Sequence, residues 1–297
     1  MNLKNKKILI TGASGFIGSN LKARLEKESA IVTPFDKSKK LNIQDTALMK
    51  KYIKKNFFAI YHLAGFSGNE RGSREASKFF NVNTFATINL INLIKNYAPQ
   101  TKLILSSSRL EYGAPLRNPV DENHPTNPSS VYGLSKLIAT IYGSEISKAT
   151  NLNITTFRTS NVYGPHPNAK FRGYNIVNHF IDLAIKGKDL IIFGNGTQTR
   201  DYLYVDDLIN VFVAALNKNE SEIYNLGFSK GVSFREMAYK ITRSVGKGQI
   251  KFKNWPTGWQ QIETNDYISD ISKAKKKLGF NPKISLEEGL NLTINSN

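Results

Sequence analysis

The sequence predicts an α/β fold with a doubly wound parallel sheet, and two observations support this prediction. In the first half of the chain, short apolar runs of β-type composition alternate with amphipathic segments of helix length. This alternation is typical of a parallel sheet covered by helices on both faces. In addition, the first apolar run leads through a glycine-rich turn into a helix within residues 8–21. The 297 residues suffice for one large domain or two smaller ones.

The elements of the first region follow in chain order. Strands are expected near residues 6–11, 30–35, 57–62, 101–106 and 152–158, with helices between them. The helix after Val131 carries Tyr132, Lys136 and Thr140 on one face, because residues four apart share a side of a helix. From Asn161 onward this alternation stops at a loop rich in glycine and proline.

The rest of the chain predicts a second region that is discontinuous in sequence. We expect a helix over 175–185, a short strand near 190–193, a helix over 206–216 and a strand over 222–226, with 231–297 mainly helical. The helix over 206–216 and the strand after it are expected to return to the first region. The predicted first domain is therefore 1–163 with 205–227, and a smaller, mainly helical domain comprises 164–204 and 228–297.

Composition argues against several classes of protein. The chain has no cysteine and its four histidines show no ligand spacing, so we expect no disulfide and no metal. No apolar run is long enough to span a bilayer and the N-terminus lacks a signal-peptide core, which predicts a cytoplasmic protein with no membrane partner. The formal charge of +18 is spread over short lysine runs. That distribution favours a solvated surface over a nucleic-acid site, and it would attract an anionic substrate.

The glycine-rich turn has the spacing of a dinucleotide-binding loop. Gly12, Gly15 and Gly18 permit a tight turn, a close approach of the backbone to a pyrophosphate, and packing of the helix on the strand. N–H groups at the start of the helix then receive the negative charge. The second strand is followed by Asp36, near the distance expected for a carboxylate that binds the adenosine ribose. This acid would repel a 2′-phosphate and favours NAD over NADP, although the lysines within 37–40 could hold a phosphate.

A second group of residues indicates proton and hydride transfer. The serines of 106–108 end a predicted strand, and ligands of open parallel sheets bind beyond the carboxyl ends of strands, which places Ser108 beside the cofactor. Tyr132 and Lys136 can reach the same point from one helix face. A nearby ammonium group favours the phenolate form of a tyrosine. Lys136 would therefore make Tyr132 the proton acceptor or donor, while the Ser108 hydroxyl holds the reacting oxygen.

With these motifs in this order, the chain resembles the extended short-chain dehydrogenases/reductases of the NAD-dependent epimerase/dehydratase family over nearly its whole length. The segments that carry the resemblance are 11–18, 62–65, 81–84, 106–108, 112–113, 121–122, 132–136, 158–165, 193–196 and 200–202. The resemblance implies a Rossmann domain that binds NAD and a smaller C-terminal domain that binds a nucleoside diphosphate sugar. It also suggests a homodimer formed through helices near 80–97 and 130–150.

The resemblance further implies roles for single residues. The catalytic residues would be Ser108, Tyr132 and Lys136. Asn42 and Ile43 would flank the adenine, and the complete cofactor site would consist of Gly12, Gly15, Phe16, Ile17, Gly18, Asp36, Asn42, Ile43, Leu63, Ala64, Gly65, Asn83, Ser106, Ser107, Tyr132 and Lys136. The substrate would contact Ser108, Asn161, Phe193 and Arg200.

The residues after Ser108 distinguish between members of this family. Dehydratases carry a Thr-Asp-Glu triplet where this chain has Ser108-Arg109-Leu110, and water elimination needs that acid and base, so we set dehydration aside. The leading hypothesis is a nucleotide-sugar 4-epimerase resembling UDP-glucose 4-epimerase, which oxidises the sugar transiently to a 4-keto sugar. An NAD(P)H-dependent 4-keto-6-deoxysugar reductase uses the same residues, and the charge suggests a non-catalytic RNA-binding protein as a third hypothesis.

Four features depart from the family pattern or allow two interpretations. No arginine occurs in 255–263, where many epimerases clamp the diphosphate, so either Lys251 or Lys253 substitutes or the headgroup differs. Asn42 replaces the acid that usually precedes the isoleucine at the adenine. Trp255 and Trp259 either stack on a ligand or pack internally. Glu111 and Glu122 are each either a contact to a hydroxyl or a surface acid.

Overall fold

The computed structural model describes residues 2–66, 76–166, 175–257 and 265–296. Contacts within the chain divide it into two compact units. The first unit comprises Met1–Gly113, Thr126–Arg158 and Phe212–Tyr224, and the second comprises Ala114–Pro125, Thr159–Val211 and Asn225–Asn297. The bounds expected for a cofactor domain and a substrate domain stay a prediction.

The helices and strands of the first half match the predicted alternation to within about two residues. The strands of the whole chain are β1 (Lys7–Thr11), β2 (Ile31–Phe35), β3 (Ala59–His62), β4 (Lys102–Ser108), β5 (Ile154–Thr159), β6 (Asn161–Tyr163), β7 (Leu190–Phe193), β8 (Thr199–Tyr204), β9 (Ile223–Leu226), β10 (Gly231–Ser233) and β11 (Ile250–Lys253). The helices are α1 (Phe16–Lys27), α2 (Thr46–Ile53), α3 (Ala76–Phe79), α4 (Ala86–Tyr97), α5 (Val131–Thr150), α6 (Ile176–Ile185), α7 (Val205–Ala215), α8 (Phe234–Val245), α9 (Ser272–Leu278) and α10 (Leu286–Asn295). A π-helical stretch, Phe80–Phe85, joins α3 to α4.

One six-stranded sheet holds the predicted site residues of the first unit. Its strand order is β2-β1-β3-β4-β5-β9, and β1 pairs in parallel with both β2 and β3. The apolar side chains of β1 are fully buried, as expected for a parallel strand covered on both faces. Because the chain leaves β1 first toward β2 and then returns to the other side at β3, the strand order reverses at β1. Ligands of doubly wound sheets bind at the carboxyl ends of the strands beside such a reversal.

The second unit contains two small sheets whose strands were mostly absent from the sequence prediction. β10, β8 and β6 form a three-stranded sheet, and β11 pairs in parallel with β7. Only β7 was predicted. β8 was not predicted because its apolar run is interrupted by Arg200 and Asp201. Both residues are buried within the strand. The Asp201 carboxylate is accommodated there because it accepts hydrogen bonds from the backbone N–H groups of Phe228 and Ser269, at 2.6 and 3.0 Å.

Within the described ranges, no helix is long and apolar enough to cross a membrane.

Candidate active site

The glycine loop joins β1 to α1 with three close backbone approaches. Gly12 has a φ of +70°, a region that favours glycine. A Cβ atom on Gly18 would lie 2.2 Å from the Gly12 oxygen, so only glycine lets α1 pack this closely against the loop. Gly15 precedes the helix, which begins at Phe16, and no side chain caps the helix at that end. The start of α1 is therefore the type of helix end that favours an anion, and its contact with a pyrophosphate stays a prediction.

Asp36 lies beside this loop because of the strand register. Thr11 pairs with Phe35 at the ends of β1 and β2. The residues that follow them, Gly12 and Asp36, are therefore neighbours at the carboxyl edge of the sheet. The Gly12 N–H donates to the Phe35 carbonyl at 2.9 Å. One carboxylate oxygen of Asp36 accepts from the Ser38 N–H at 2.8 Å and caps a short turn. The predicted ribose acid and the predicted pyrophosphate loop are thus brought together.

The segment after β3 is held against the same loop by His62. The Thr87 hydroxyl donates to the Asn83 carbonyl at 2.7 Å, so its oxygen accepts from His62 Nε2, 2.9 Å away. His62 Nδ1 is then the unprotonated nitrogen and accepts from the Thr11 hydroxyl at 2.8 Å. The Thr11 oxygen in turn accepts from the Ala64 N–H at 3.2 Å. Burial, together with the charge of Lys136, lowers the pKa of His62 to about 3, so the ring is neutral.

The segment after β3 also approaches the glycine loop closely, at Ala64 and Gly12. A Cβ atom on Gly12 would lie 2.7 Å from the Ala64 nitrogen. Asn83 is buried and clamps the end of the described segment: its amide oxygen accepts from the Phe66 N–H at 2.8 Å, and its amide nitrogen donates to the Ser135 hydroxyl at 3.0 Å. Asn83 therefore ties the segment after β3, which includes Leu63 and Gly65, to α5.

The two residues expected at the adenine differ in exposure. The Asn42 side chain is exposed, and its oxygen accepts from the Gln44 N–H at 3.2 Å. Ile43 is buried in the hydrophobic core of the first unit, together with Phe35 and Met49. Their contact with an adenine ring stays a prediction.

The end of β4 and the first turns of α5 hold the predicted catalytic residues. The Lys136 ammonium donates to the Ser106 carbonyl at 2.5 Å. Burial lowers the pKa of Lys136 to about 8, while the charge of Glu111 opposes that decrease. Ser108 caps the turn that follows β4, because its oxygen accepts from the Leu110 N–H at 3.2 Å. Tyr132 lies one turn before Lys136 on α5, and its ring meets that of Phe79 edge-on at 6.0 Å.

Gly133, within the segment 132–136, was not predicted to have a role in the site. A Cβ atom there would lie 2.4 Å from the Leu110 oxygen. Glycine at this position lets the start of α5 approach the turn after Ser108. The close approach packs the first turn of α5, which carries Tyr132, against the turn that follows Ser108. The available signal was a glycine between Tyr132 and Leu134 in a predicted helix, where glycine is unfavourable.

The structure also settles the two acids left open by the sequence. Glu111 is fully buried, and one of its oxygens accepts from the Arg158 Nε at 2.7 Å. Glu122 accepts from the Asn225 N–H at 2.7 Å, and burial raises its pKa. Glu111 is therefore not a surface acid, and the Glu122 side chain is half-buried.

The predicted substrate residues of the C-terminal part all lie in the second unit. Asn161 begins β6 and pairs with Tyr202 of β8. Arg200 is buried, donates to the Thr199 carbonyl at 2.8 Å and to the Asn265 carbonyl, and stacks on the ring of Phe234 at 5.2 Å. Phe193 packs on Trp255 with ring centroids 5.8 Å apart.

The replacement for the diphosphate arginine stays open. Lys251 forms an ion pair with Asp189 at 2.7 Å, and Trp259 falls outside the described residues. In the described part of the chain, no three histidine or acidic side chains cluster to hold a metal ion.

A glycine loop after the first strand, an acid after the second, a serine at the end of β4, and a tyrosine and a lysine on α5 are features of short-chain dehydrogenases/reductases. Residues 8–227 match the model of the NAD dependent epimerase/dehydratase family, and the chain therefore belongs to that family. The predicted family and fold are confirmed, and so is NAD as the cofactor on which this family depends.

Similar proteins include several that are named for nucleotide sugars. A protein from Methanocaldococcus jannaschii with the provisional name of a UDP-glucose 4-epimerase is 33% identical over 304 residues, which are 97% of this chain and 97% of the relative. UDP-glucuronic acid decarboxylase 1 from Xenopus tropicalis is 32% identical over 97% of this chain and 71% of the relative. The crystal structure of UDP-glucose 4-epimerase from Thermotoga maritima with UDP-glucose superimposes with a TM-score of 0.89 at 28% identity, covering 98% of both chains.

Proposed function

We propose that the chain is an NAD-dependent nucleotide-sugar 4-epimerase that resembles UDP-glucose 4-epimerase. The observation that carries this proposal is the arrangement at the end of β4. Lys136 is held at the Ser106 carbonyl one helical turn from Tyr132, whereas Arg109 and Leu110 occupy the positions where dehydratases need an acid and a base. The similarity to proteins named UDP-glucose 4-epimerase supports the same reaction.

In this proposal the chain supplies proton transfer and alignment. Tyr132 takes the proton of the sugar 4-hydroxyl and later returns it, the Lys136 ammonium stabilises the phenolate, and the Ser108 hydroxyl holds the reacting oxygen. Hydride transfer from the sugar carbon and back to it would be supplied by NAD held in the cofactor site. Epimerisation requires that the flat 4-keto sugar turn over between these two steps. No further acid or base is required, which is consistent with Arg109 and Leu110.

The proposed binding residues follow from the same assignment. The glycine loop of 12–18 would hold the pyrophosphate of NAD, with Asp36 on the ribose and Asn42 and Ile43 at the adenine. The residues 63–65, Asn83 and the serines 106 and 107 would complete the cofactor site. Asn161, Phe193 and Arg200 would bind the nucleotide of the sugar substrate.

A homodimer is part of the proposal, with an apolar face of the first unit as its interface. Leu134, Ile138 and Ile141 lie on one side of α5 and are exposed. Phe85, at the end of the π-helical stretch, is 54% exposed. Apolar side chains grouped in this way mark sites of protein association. A cytoplasmic location stays a prediction.

Incubation with UDP-, CDP-, GDP- and dTDP-hexoses, followed by NMR spectroscopy without added cofactor, tests the reaction. We expect the C4 epimer of at least one sugar, and we expect Tyr132→Phe to slow its formation by roughly 10²- to 10⁴-fold. Tyr142→Phe is the matched control, because Tyr142 lies on the same helix with its hydroxyl bonded to Asn92 at 2.8 Å.

The remaining outcomes decide against the proposal. Net oxidation of NADH or NADPH with a 4-keto sugar would identify a reductase instead. Release of carbon dioxide from UDP-glucuronic acid would identify a decarboxylase. Salt-dependent RNA binding without any nucleotide released on denaturation would indicate a non-catalytic protein.

A further inference from the structure

We propose that Glu111, with Arg158 as its counter-ion, is a positioning residue that keeps Lys136 charged and so sets the pH range in which Tyr132 exchanges its proton. This inference rests on the proposed function of Tyr132 and Lys136. It assigns a task to an acid that lies three residues after Ser108 and that the proposed reaction does not use directly.

The Glu111 carboxylate is isolated from solvent. Its side chain is 0% exposed and that of Arg158 is 5% exposed, and the two are joined by the 2.7 Å contact between Glu111 Oε2 and Arg158 Nε. Arg158 also donates to the Tyr112 hydroxyl at 2.9 Å, so the guanidinium is fixed on both sides. Burying such a pair costs several kcal/mol of desolvation per ion, and an apolar pair of similar volume is often at least as stable. Stability alone therefore gives no reason to have this pair here.

The second oxygen of Glu111 faces the elements that hold Lys136. Glu111 Oε1 accepts from the Thr140 hydroxyl at 2.6 Å and from the Ser107 hydroxyl. Thr140 lies one turn after Lys136 on the same face of α5, and Ser107 follows the residue whose carbonyl accepts from Lys136. Glu111 thus contacts Ser107, which is next to the residue that binds Lys136, and Thr140, which lies one helical turn after Lys136.

Among the described residues, Glu111 is the acid whose charge acts on Lys136. Burial lowers the pKa of the ammonium to about 8, and the charge of Glu111 works against that decrease. On the side of β3 the neighbour is His62, which is neutral, as described above. Tyr132 faces Lys136 from its own helix, and the Ser106 carbonyl contributes a dipole. Removing the negative charge of Glu111 would let Lys136 lose its proton closer to neutral pH, and a neutral amine no longer favours the tyrosine phenolate.

A titration of Lys136 in the complete protein tests this inference without relying on turnover. Lysine labelled with ¹³C at the ε-carbon reports each amine by NMR, and the Lys136 signal is assigned by its loss in Lys136→Arg. We expect its midpoint to fall by at least about one pH unit in Glu111→Gln, because a nearby opposite charge shifts a pKa by about 1–3 units. Glu111→Asp retains the charge and should restore most of the original midpoint.

Two further variants separate the charge from the packing. Thr140→Val removes a hydrogen bond to Glu111 but keeps the carboxylate, so the Lys136 midpoint should stay within a few tenths of a unit. The double variant Glu111→Leu with Arg158→Met removes the ion pair without leaving an unpaired buried charge, so it should fold even if Glu111→Gln is too unstable to do so. We expect the midpoint to fall in this variant as well.

A Lys136 midpoint that is unchanged in the double variant would overturn the inference, even if the double variant were stable and active. The failure of the proposed function is distinguishable, because it would appear as absent turnover on all nucleotide sugars while the midpoint still moved. Where turnover is found, the alkaline limb of its pH profile should move to lower pH in Glu111→Gln and stay in place in Thr140→Val.

Discussion

The neutral, buried ring of His62 predicts a specific loss of stability in acid. Burial lowers the pKa of His62 from its ordinary value of 6.5 to about 3, and the charge of Lys136 contributes to the decrease. Because the folded-state pKa is lower than that of the unfolded chain, the unfolded chain binds more protons below pH 6.5. The free energy of unfolding therefore falls as the pH decreases from 6.5 toward 3.

The size of this effect follows from the interval between the two values. At about 1.4 kcal/mol for each pH unit, the interval from 6.5 to about 3 corresponds to on the order of 5 kcal/mol. Over the two pH units between 6.5 and 4.5, His62 should remove roughly 3 kcal/mol of stability. Protonation would also break the hydrogen bond from Thr11, which holds the segment after β3 against the glycine loop.

Urea unfolding followed by circular dichroism at pH 7, 6, 5 and 4.5 measures the effect. His62→Gln keeps a donor and an acceptor but does not titrate, so we expect the variant to be less stable at pH 7 and its disadvantage to shrink with acidity. The difference between wild type and variant should decrease by about 1.4 kcal/mol per pH unit below 6.5. His179→Gln, at an exposed histidine of α6, serves as the control and should run parallel to wild type. Parallel curves for wild type and His62→Gln would refute the reasoning.

Three further predictions concern the cofactor loop, the ribose acid and the dimer. Gly18→Ala would place a Cβ atom 2.2 Å from the Gly12 oxygen, so we expect the protein to purify without bound NAD. Lys22→Ala, at an exposed position of α1 outside the loop, should retain NAD. Equal NAD content of the two variants on denaturation would contradict this prediction. Asp36→Ala removes a charged acceptor, so the Kd for NAD should rise about tenfold or more and the preference over NADP should shrink in calorimetric titration; an unchanged preference would rule out the role of Asp36. Ile138→Glu introduces a charge into the exposed apolar face of α5 and should give a monomer by light scattering. Leu292→Glu, at an exposed position of α10, is the control and should leave the dimer intact. A dimer in both variants would refute the proposed interface.

The parts of the site that the sequence predicted are those set by local pattern. A buried apolar run, glycines at 12, 15 and 18, and a helix that starts at once determine the loop, because each glycine answers a steric demand of its own neighbours. Tyr132 and Lys136 were predicted together because helical periodicity alone places residues four apart on one face. The register of two adjacent parallel strands then suffices to bring Asp36 beside Gly12.

The contacts between segments distant in sequence were decided by the tertiary structure alone. The sequence left open whether Glu111 is a surface acid. Only the packing of β4, α5 and β5 brings it to Thr140, 29 residues away in sequence, and to Arg158, 47 residues away. His62 is likewise neutral because the fold buries its ring and brings the charge of Lys136 near it. The charge state of a buried group depends on which partners the fold encloses with it, and periodicity carries no information about partners that far along the chain. The sequence by itself therefore determined the glycine loop and the pairing of Tyr132 with Lys136 on one helix face, while the tertiary structure decided the electrostatic environment in which that pair lies.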